Sequence, residues 1–97
     1  MGTGMLLEQD TETGATYFVL DVEADVARTV HLDDLVMVDV DHAGRPVGVE
    51  LAMDCTRESP ATVGNAWTQL VNAFPALKDT FADPASLLCA RSPAGLR

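Results

Sequence analysis

Apolar and polar residues alternate along much of the stretch between residues 16 and 51, and short clusters of Asp, Glu and Gly interrupt the alternation. Alternation of this kind is typical of β-strands that bury one face, and clusters of this composition are typical of tight turns. The pattern therefore predicts an antiparallel β-meander of four to five strands over residues 5–54, with the segment MLLEQ as its first strand.

The strand register follows from the requirement that apolar side chains share one face after every turn, because a slip of one residue moves all of them to the other face. A hairpin with its tip at residues 43–44 meets this requirement by pairing Val40 with Val47, Val38 with Val49, and Val36 with Leu51. Turns at 23–25 and 33–35 meet it by pairing Val22 with Val26, Phe18 with Val30, Leu32 with Val36, and Val30 with Val38. A turn at DTETG would place Leu6 beside Phe18. We call this apolar surface the valine face.

The hairpin stretch VDVDHAGRPVGVE can also be interpreted as a calcium-binding loop, since Asp39, Asp41, Gly44 and Glu50 occupy positions that the EF-hand motif uses. The hairpin is favoured because Ala43 stands where the motif needs a ligand, and because β-branched residues flank the stretch instead of helices. In the predicted register Asp39 and Glu50 are diagonal neighbours on adjacent strands, too widely spread to wrap one ion. The sequence therefore predicts no metal site here.

Residues 55–97 change to the spacing of helices. Ser59 is the expected N-cap of a helix that has Pro60 at its first position. Apolar residues recur along it every three to four positions: Val63, Ala66, Trp67, Leu70, Val71 and Phe74. The segment DPASLLCA repeats the start signal. We predict a single α+β domain over residues 1–97, in which a β-meander (5–54) carries this C-terminal helical extension (55–97) packed on one sheet face.

The charge is strongly negative and concentrated in the predicted sheet. The 97 residues carry a formal net charge of −9, and residues 1–54 hold twelve acidic side chains against Arg28 and Arg45. Such a surface repels phosphates, so we expect no binding to nucleic acid, and it suits a basic protein partner. No apolar run is long enough to span a bilayer and the N-terminus lacks the features of a signal peptide, which predicts a soluble cytoplasmic protein without membrane contact.

Three segments in order, VARTVHLDD, VMVDVD and AGRPVGVEL, resemble the YuzE-like family of short bacterial domains of unknown function. The preceding QDTETGATYFVL is similar to the opening of that family, and the resemblance covers about residues 5–54. Leu35 stands where the family usually has Gly, and Gln9 where it often has Tyr. The resemblance implies a small β-rich domain and brings no catalytic residue. Some members sit beside small toxin genes, which suggests an antitoxin-like role by analogy.

Candidate chemistry is sparse elsewhere in the chain. Cys55 and Cys89 match no zinc spacing and are predicted to be reduced and inert. The sequence contains no glycine-rich phosphate loop and no nucleophile elbow. We therefore predict no catalytic residue, no cofactor and no metal. A protein partner is expected, and a small-molecule ligand is not. Trp67 is interpreted as a core residue of the helical extension.

The sheet face opposite the valine face carries the strongest functional signal. The predicted register aligns Tyr17, His31, Met37 and Glu50 in one row across four strands, and Val19, Thr29, Asp39 and Gly48 in the next. A contiguous patch of apolar and acidic residues is typical of a protein interface. We predict an interaction surface for a homodimer or a protein partner, formed by Tyr17, Val19, Thr29, His31, Met37, Asp39 and Glu50. The alternative is a small-ligand-binding protein or an enzyme that uses His31 with Glu50 or Asp39.

Overall fold

Five antiparallel strands form one sheet in the computed structural model, which describes residues 6–10 and 12–88. The strands are β1 (Leu6–Gln9), β2 (Thr16–Val19), β3 (Arg28–Asp33), β4 (Val36–Val40) and β5 (Pro46–Leu51). They are followed by helices α1 (Pro60–Ala73) and α2 (Ala85–Leu88), and by single 3₁₀ segments at Cys55–Arg57 and Pro75–Asp79. The predicted α+β class with an antiparallel sheet is confirmed, and the number of strands is five, within the predicted four to five.

The order of the strands in the sheet differs from the predicted meander. The order is β1-β2-β5-β4-β3, so β2 pairs with β5 and not with β3. Phe18 consequently lies opposite Val49, and the predicted pairing of Phe18 with Val30 is wrong. Both arrangements keep Phe18 on the valine face, and for this reason the requirement of one apolar face did not distinguish them.

The connection between β2 and β3 is a crossing loop where a tight turn was expected. The Leu20 N–H donates to the carbonyl of Val47 on β5 (3.0 Å), and the Ala27 N–H donates to that of Val40 on β4 (2.8 Å). Residues 20–27 therefore run past the ends of both strands before β3 begins. The predicted pairing of Val22 with Val26 is wrong, because these side chains are 62% and 51% exposed in the loop.

The two predicted hairpins are present, each with one irregularity. Between β4 and β5, the pairs Val38–Val49 and Val36–Leu51 are confirmed, but a bulge places Val40 opposite Pro46 and not opposite Val47. Between β3 and β4, the pair Val30–Val38 is confirmed, but a bulge places Asp33 and not Leu32 opposite Val36. At the edge of the sheet formed by β1, Leu7 pairs with Phe18 and Leu6 pairs with Val19. The predicted position of Leu6 beside Phe18 is therefore wrong.

The valine face is buried, as its composition predicts. Six of its side chains are at most 1% exposed: Phe18, Val36, Val38, Val40, Val49 and Leu51. Complete burial of each such side chain contributes roughly 1.5–3 kcal/mol before the loss of conformational entropy is subtracted. The sheet is therefore stabilised through one face, and the other face is left for polar and functional residues.

The chain divides into two compact units, residues 1–54 and 55–97, at the position where the composition changes. In the second unit Ser59 caps α1, since its Oγ accepts from the Thr62 N–H (3.2 Å). Along the predicted stripe Val63, Ala66, Leu70 and Val71 are buried.

Trp67, which the sequence predicts as a core residue, is half-buried. Its indole N–H donates to the carbonyl of Phe81 (2.8 Å). The predicted cap of the second helix is also present, since Asp83 Oδ1 accepts from the Ser86 N–H (3.2 Å).

Cys55 is buried, and Cys89 lies outside the described residues. In the part of the chain that the structure describes, no helix has the length and hydrophobicity required to cross a bilayer.

Candidate interaction surface on the exposed sheet face

Two rows of side chains cross the sheet on the face opposite the valine face, which we call the exposed face. One row runs through all five strands in the order Glu8, Tyr17, Glu50, Met37, His31. The next row runs from β2 to β3 in the order Val19, Gly48, Asp39, Thr29. All seven residues predicted for the interaction surface therefore lie on one face and in the predicted rows, although the strand order changes their sequence.

Glu8 belongs to this surface and was missed by the sequence analysis. The predicted register of the first strand placed Leu6 beside Phe18, which turned Leu7 toward the exposed face and Glu8 away from it. The observed register is shifted by one residue, so Leu7 lies opposite Phe18 and Glu8 lies opposite Tyr17. A one-residue shift exchanges the two faces of a strand, and here it adds a carboxylate next to the only tyrosine of the chain.

A chain of hydrogen bonds links three strands across this face. The Tyr17 hydroxyl donates to Asp39 Oδ2 (2.5 Å), and the Thr29 hydroxyl donates to Asp39 Oδ1 (2.5 Å). Both oxygens of the carboxylate are therefore bound by neutral hydroxyl groups, which hold its side chain in place without neutralising its charge. Asp39 is thus a carboxylate whose orientation on β4 is fixed by side chains of β2 and β3.

Gly48 makes this network possible. Tyr17 is on β2 and Asp39 is on β4, with β5 between them, so the tyrosine side chain must lie along the sheet surface to reach the carboxylate. A Cβ atom at residue 48 would be 2.0 Å from the Tyr17 hydroxyl oxygen and 2.7 Å from Cζ. A glycine inside a strand often marks a close approach of this kind, so the sequence did carry a signal for it.

The surroundings of Tyr17 favour its neutral form. Burial, the hydrogen bond to Asp39 and the negative charges of Asp39, Glu50 and Glu8 together raise the pKa of Tyr17 well above its ordinary value. Because the pKa is raised on folding, the contribution of this group to stability is present below about pH 10 and is lost as the pH rises through the folded-state pKa.

We expect Gly48→Ala to displace Tyr17 and to lower its pKa toward the ordinary value of about 10, because the added Cβ occupies the position of the phenol. Tyr17 is the only tyrosine, so tyrosinate absorbance during alkaline titration reports on it alone. Gly64→Ala in α1 is the control, since a Cβ there meets no atom within 4 Å. Circular dichroism verifies that each protein stays folded; an unchanged Tyr17 titration in folded Gly48→Ala would contradict the placement of the phenol over Gly48.

A depression opens beside Tyr17 at the β1 edge of the sheet. Its walls are formed by residues of β1, the following turn, β2 and β5: Glu8, Gln9, Asp10, Ala15, Thr16, Tyr17 and Glu50. In the row that crosses this region Tyr17 lies directly between Glu8 and Glu50, one on each neighbouring strand. An aromatic side chain flanked by two carboxylates is a setting that favours a cationic group.

The predicted alternative uses His31 as a catalytic or ligand-binding centre together with Glu50 or Asp39. Met37 lies between His31 and Glu50 in their row, so the imidazole and that carboxylate are separated by an intervening strand. Asp39 is committed to the hydroxyls of Tyr17 and Thr29. His31 is therefore a solvent-exposed residue at one end of the row, and the alternative that uses it with Glu50 or Asp39 stays a prediction.

The stretch interpreted as a possible calcium loop is a hairpin, as predicted. Asp41 Oδ1 accepts from the backbone N–H groups of Ala43 and Arg45 (2.9 Å each), and the Arg45 guanidinium lies 3.1 Å from Asp41 Oδ2. The hydrogen bond from the Arg45 backbone, more than any other contact, lowers the pKa of Asp41. Asp41 thus stabilises the turn while Asp39 belongs to the exposed face. Among residues 6–10 and 12–88, no group of three or more His, Cys, Asp or Glu is placed to hold a metal.

Comparisons with known proteins do not assign this arrangement to a family. No protein-family model matches the chain, and neither the curated proteins nor the solved structures contain a match. The resemblance of residues 5–54 to the YuzE-like family therefore stays a prediction, and function has to be inferred from the exposed face itself.

Proposed function

We propose that this protein is a non-enzymatic interaction module whose exposed sheet face binds a basic protein partner. The observation that carries the proposal is the position of Tyr17, between Glu8 and Glu50 and hydrogen-bonded to Asp39. The two rows of the exposed face contain these three carboxylates and a single imidazole, His31. The apolar side chains of Val19 and Met37 are half-buried among them and supply the area that a protein interface desolvates.

Charge favours a basic partner over a second copy of the chain at this face. Stacking two copies face to face would bring two sets of Glu8, Glu50 and Asp39 into one desolvated layer, with only the two His31 side chains to offset them. Like charges in an interface cost several kcal/mol. A lysine- or arginine-rich partner meets the same carboxylates with opposite charge and gains association rate from the excess of acidic residues in 1–54.

The resemblance to the YuzE-like family suggests which kind of basic partner this protein binds. Some members of that family sit beside genes for small toxins, and an acidic protein that covers a basic surface is one way to inhibit such a partner. We therefore propose an antitoxin-like inhibitor acting in the cytoplasm of a bacterium. The family, the bacterial host and the toxin rest on the resemblance, whereas the basic character of the partner rests on the charges of the exposed face.

The proposal is tested by adding positive charge to the centre of the exposed face. We expect the double variant Val19→Lys with Met37→Lys to weaken binding of basic probe peptides about tenfold at low ionic strength, because the lysines repel the ligand at the place it must cover. The probes are two short labelled peptides, one alternating arginine with serine and one alternating lysine with serine. Fluorescence anisotropy measures their dissociation constants.

A matched control separates this effect from the change in net charge. The double variant Val22→Lys with Val26→Lys adds the same charge at two exposed valines of the loop 20–27, outside the two rows of the exposed face. We expect it to weaken binding about twofold or less through the long-range potential, which salt screens. Equal loss of affinity in both double variants would show that net charge, and not this face, binds the peptides.

A further inference from the structure

We infer that the depression beside Tyr17 receives an arginine side chain of the partner, with its guanidinium against the tyrosine ring and between the carboxylates of Glu8 and Glu50. This inference rests on the proposed function and adds the chemical identity of the anchoring residue to it. The geometry distinguishes arginine from lysine, which net charge alone does not.

The Tyr17 ring is a fixed platform. Its side chain lies along the sheet with the phenol over Gly48, and its hydroxyl is bonded to Asp39. The phenol end of the ring therefore lies close to the β5 backbone, while the half-buried residue still borders the depression. A ring that is already held in place loses little conformational entropy when a ligand stacks on it, so the contact retains most of its stabilisation.

The two carboxylates come from the strands on either side of Tyr17. Glu8 on β1 and Glu50 on β5 are the direct cross-strand neighbours of Tyr17, and both are exposed. Directly opposed residues have Cβ atoms about 4.5–5.5 Å apart, so both glutamate side chains start next to Tyr17 and can extend toward a group that rests on its ring. Their negative charge is also felt at the phenol, where it contributes to the raised pKa.

Arginine fits this arrangement better than other cations. A guanidinium is planar, stacks on an aromatic face, and directs its N–H donors outward in its own plane toward acceptors on either side. An ammonium group is a compact, strongly hydrated charge that cannot stack and contact two separated carboxylates in the same way. The carboxylates alone would attract either cation, and it is the ring between them that provides the preference for arginine.

The experiment compares the arginine–serine peptide with the lysine–serine peptide and with a citrulline–serine peptide, which keeps the planar group but has no charge. We expect the parent protein to bind the arginine peptide about three- to fivefold more tightly than the lysine peptide, and the citrulline peptide not measurably. Tyr17→Leu should abolish the preference while retaining binding to both cationic peptides, because the carboxylates remain. Tyr17→Phe, which retains the ring, should keep the preference.

A second pair of variants keeps the test valid if Tyr17→Leu does not fold. Glu8→Gln and Glu50→Gln alter exposed side chains, and each should weaken the arginine peptide about two- to fivefold, whereas Glu58→Gln in residues 55–97 should not. Equal affinity of the parent for the arginine and lysine peptides would overturn this inference and leave the proposed function standing. Binding that is insensitive to the lysines introduced at Val19 and Met37 would overturn both.

Discussion

Replacing Phe18 with alanine is expected to lower the free energy of unfolding by about 3–5 kcal/mol. Phe18 is on the valine face, is 0% exposed, and lies between Leu7 on β1 and Val49 on β5. Removing its ring leaves a cavity that the paired strands on both sides prevent from collapsing, so the loss includes a cavity term as well as the transfer free energy. Urea denaturation followed by circular dichroism measures it.

The control for this prediction is Val19→Ala, the next residue of the same strand on the opposite face. Val19 is half-buried on the exposed face, so its truncation should cost about 1 kcal/mol or less. The two variants differ by one position in sequence and therefore test the assignment of faces directly. A larger loss at Val19 than at Phe18 would mean that the strand is turned the other way.

Gly14→Ala is the second large effect, with an expected loss of about 2–5 kcal/mol. Gly14 follows the β1–β2 turn with a φ of 79°, in the left-handed region that alanine enters only with strain. A Cβ at this position would also lie 2.5 Å from Asp54 Cβ, an atom next to the backbone, so relief requires the main chain to move. Urea denaturation again gives the change in unfolding free energy.

Gly44→Ala separates the two causes. Gly44 has nearly the same φ, 84°, but an added Cβ there meets no atom within 4 Å. Its loss should therefore be the backbone term alone, about 1–2 kcal/mol. If both variants lose the same free energy of unfolding, the close approach of Asp54 to Gly14 adds nothing to the cost of Gly14→Ala.

The sequence predicted well those features that depend on residues near each other in the chain. The alternation of valines located β4 and β5 and their register at Val38 and Val49, and Ser59 with Pro60 located the start of α1. The order of the strands failed because pairing of β2 with β3 and pairing of β2 with β5 both keep Phe18 on the apolar face. Alternation decides which face a residue occupies, but it does not decide which strand lies beside it.

The same distinction explains how much of the candidate site was predictable. Tyr17, Met37 and Asp39 were placed on the correct face because face depends only on parity along each strand. The bond between Tyr17 and Asp39 could not be predicted, since it requires β5 to lie between their strands and Gly48 to lie under the phenol. The bulges that shift the strand pairing at Val47 and at Leu32 could not be predicted either, because the register was derived by assuming perfect alternation.

The position of β2 next to β5 has a consequence for how the chain is made. A ribosome delivers β1 and β2 first, and an isolated two-stranded hairpin is at best marginally stable in water. At 5–20 residues per second, the roughly 30 residues between the end of β2 and the end of β5 take roughly 2–6 s to synthesise. During that interval one side of β2 has no strand to pair with. Its unpaired N–H and C=O groups can form hydrogen bonds with another nascent chain. Acidic residues lie on either side of β2, among them Glu12 and Glu23, and we expect their like charges to disfavour contact between two copies of the unfinished chain.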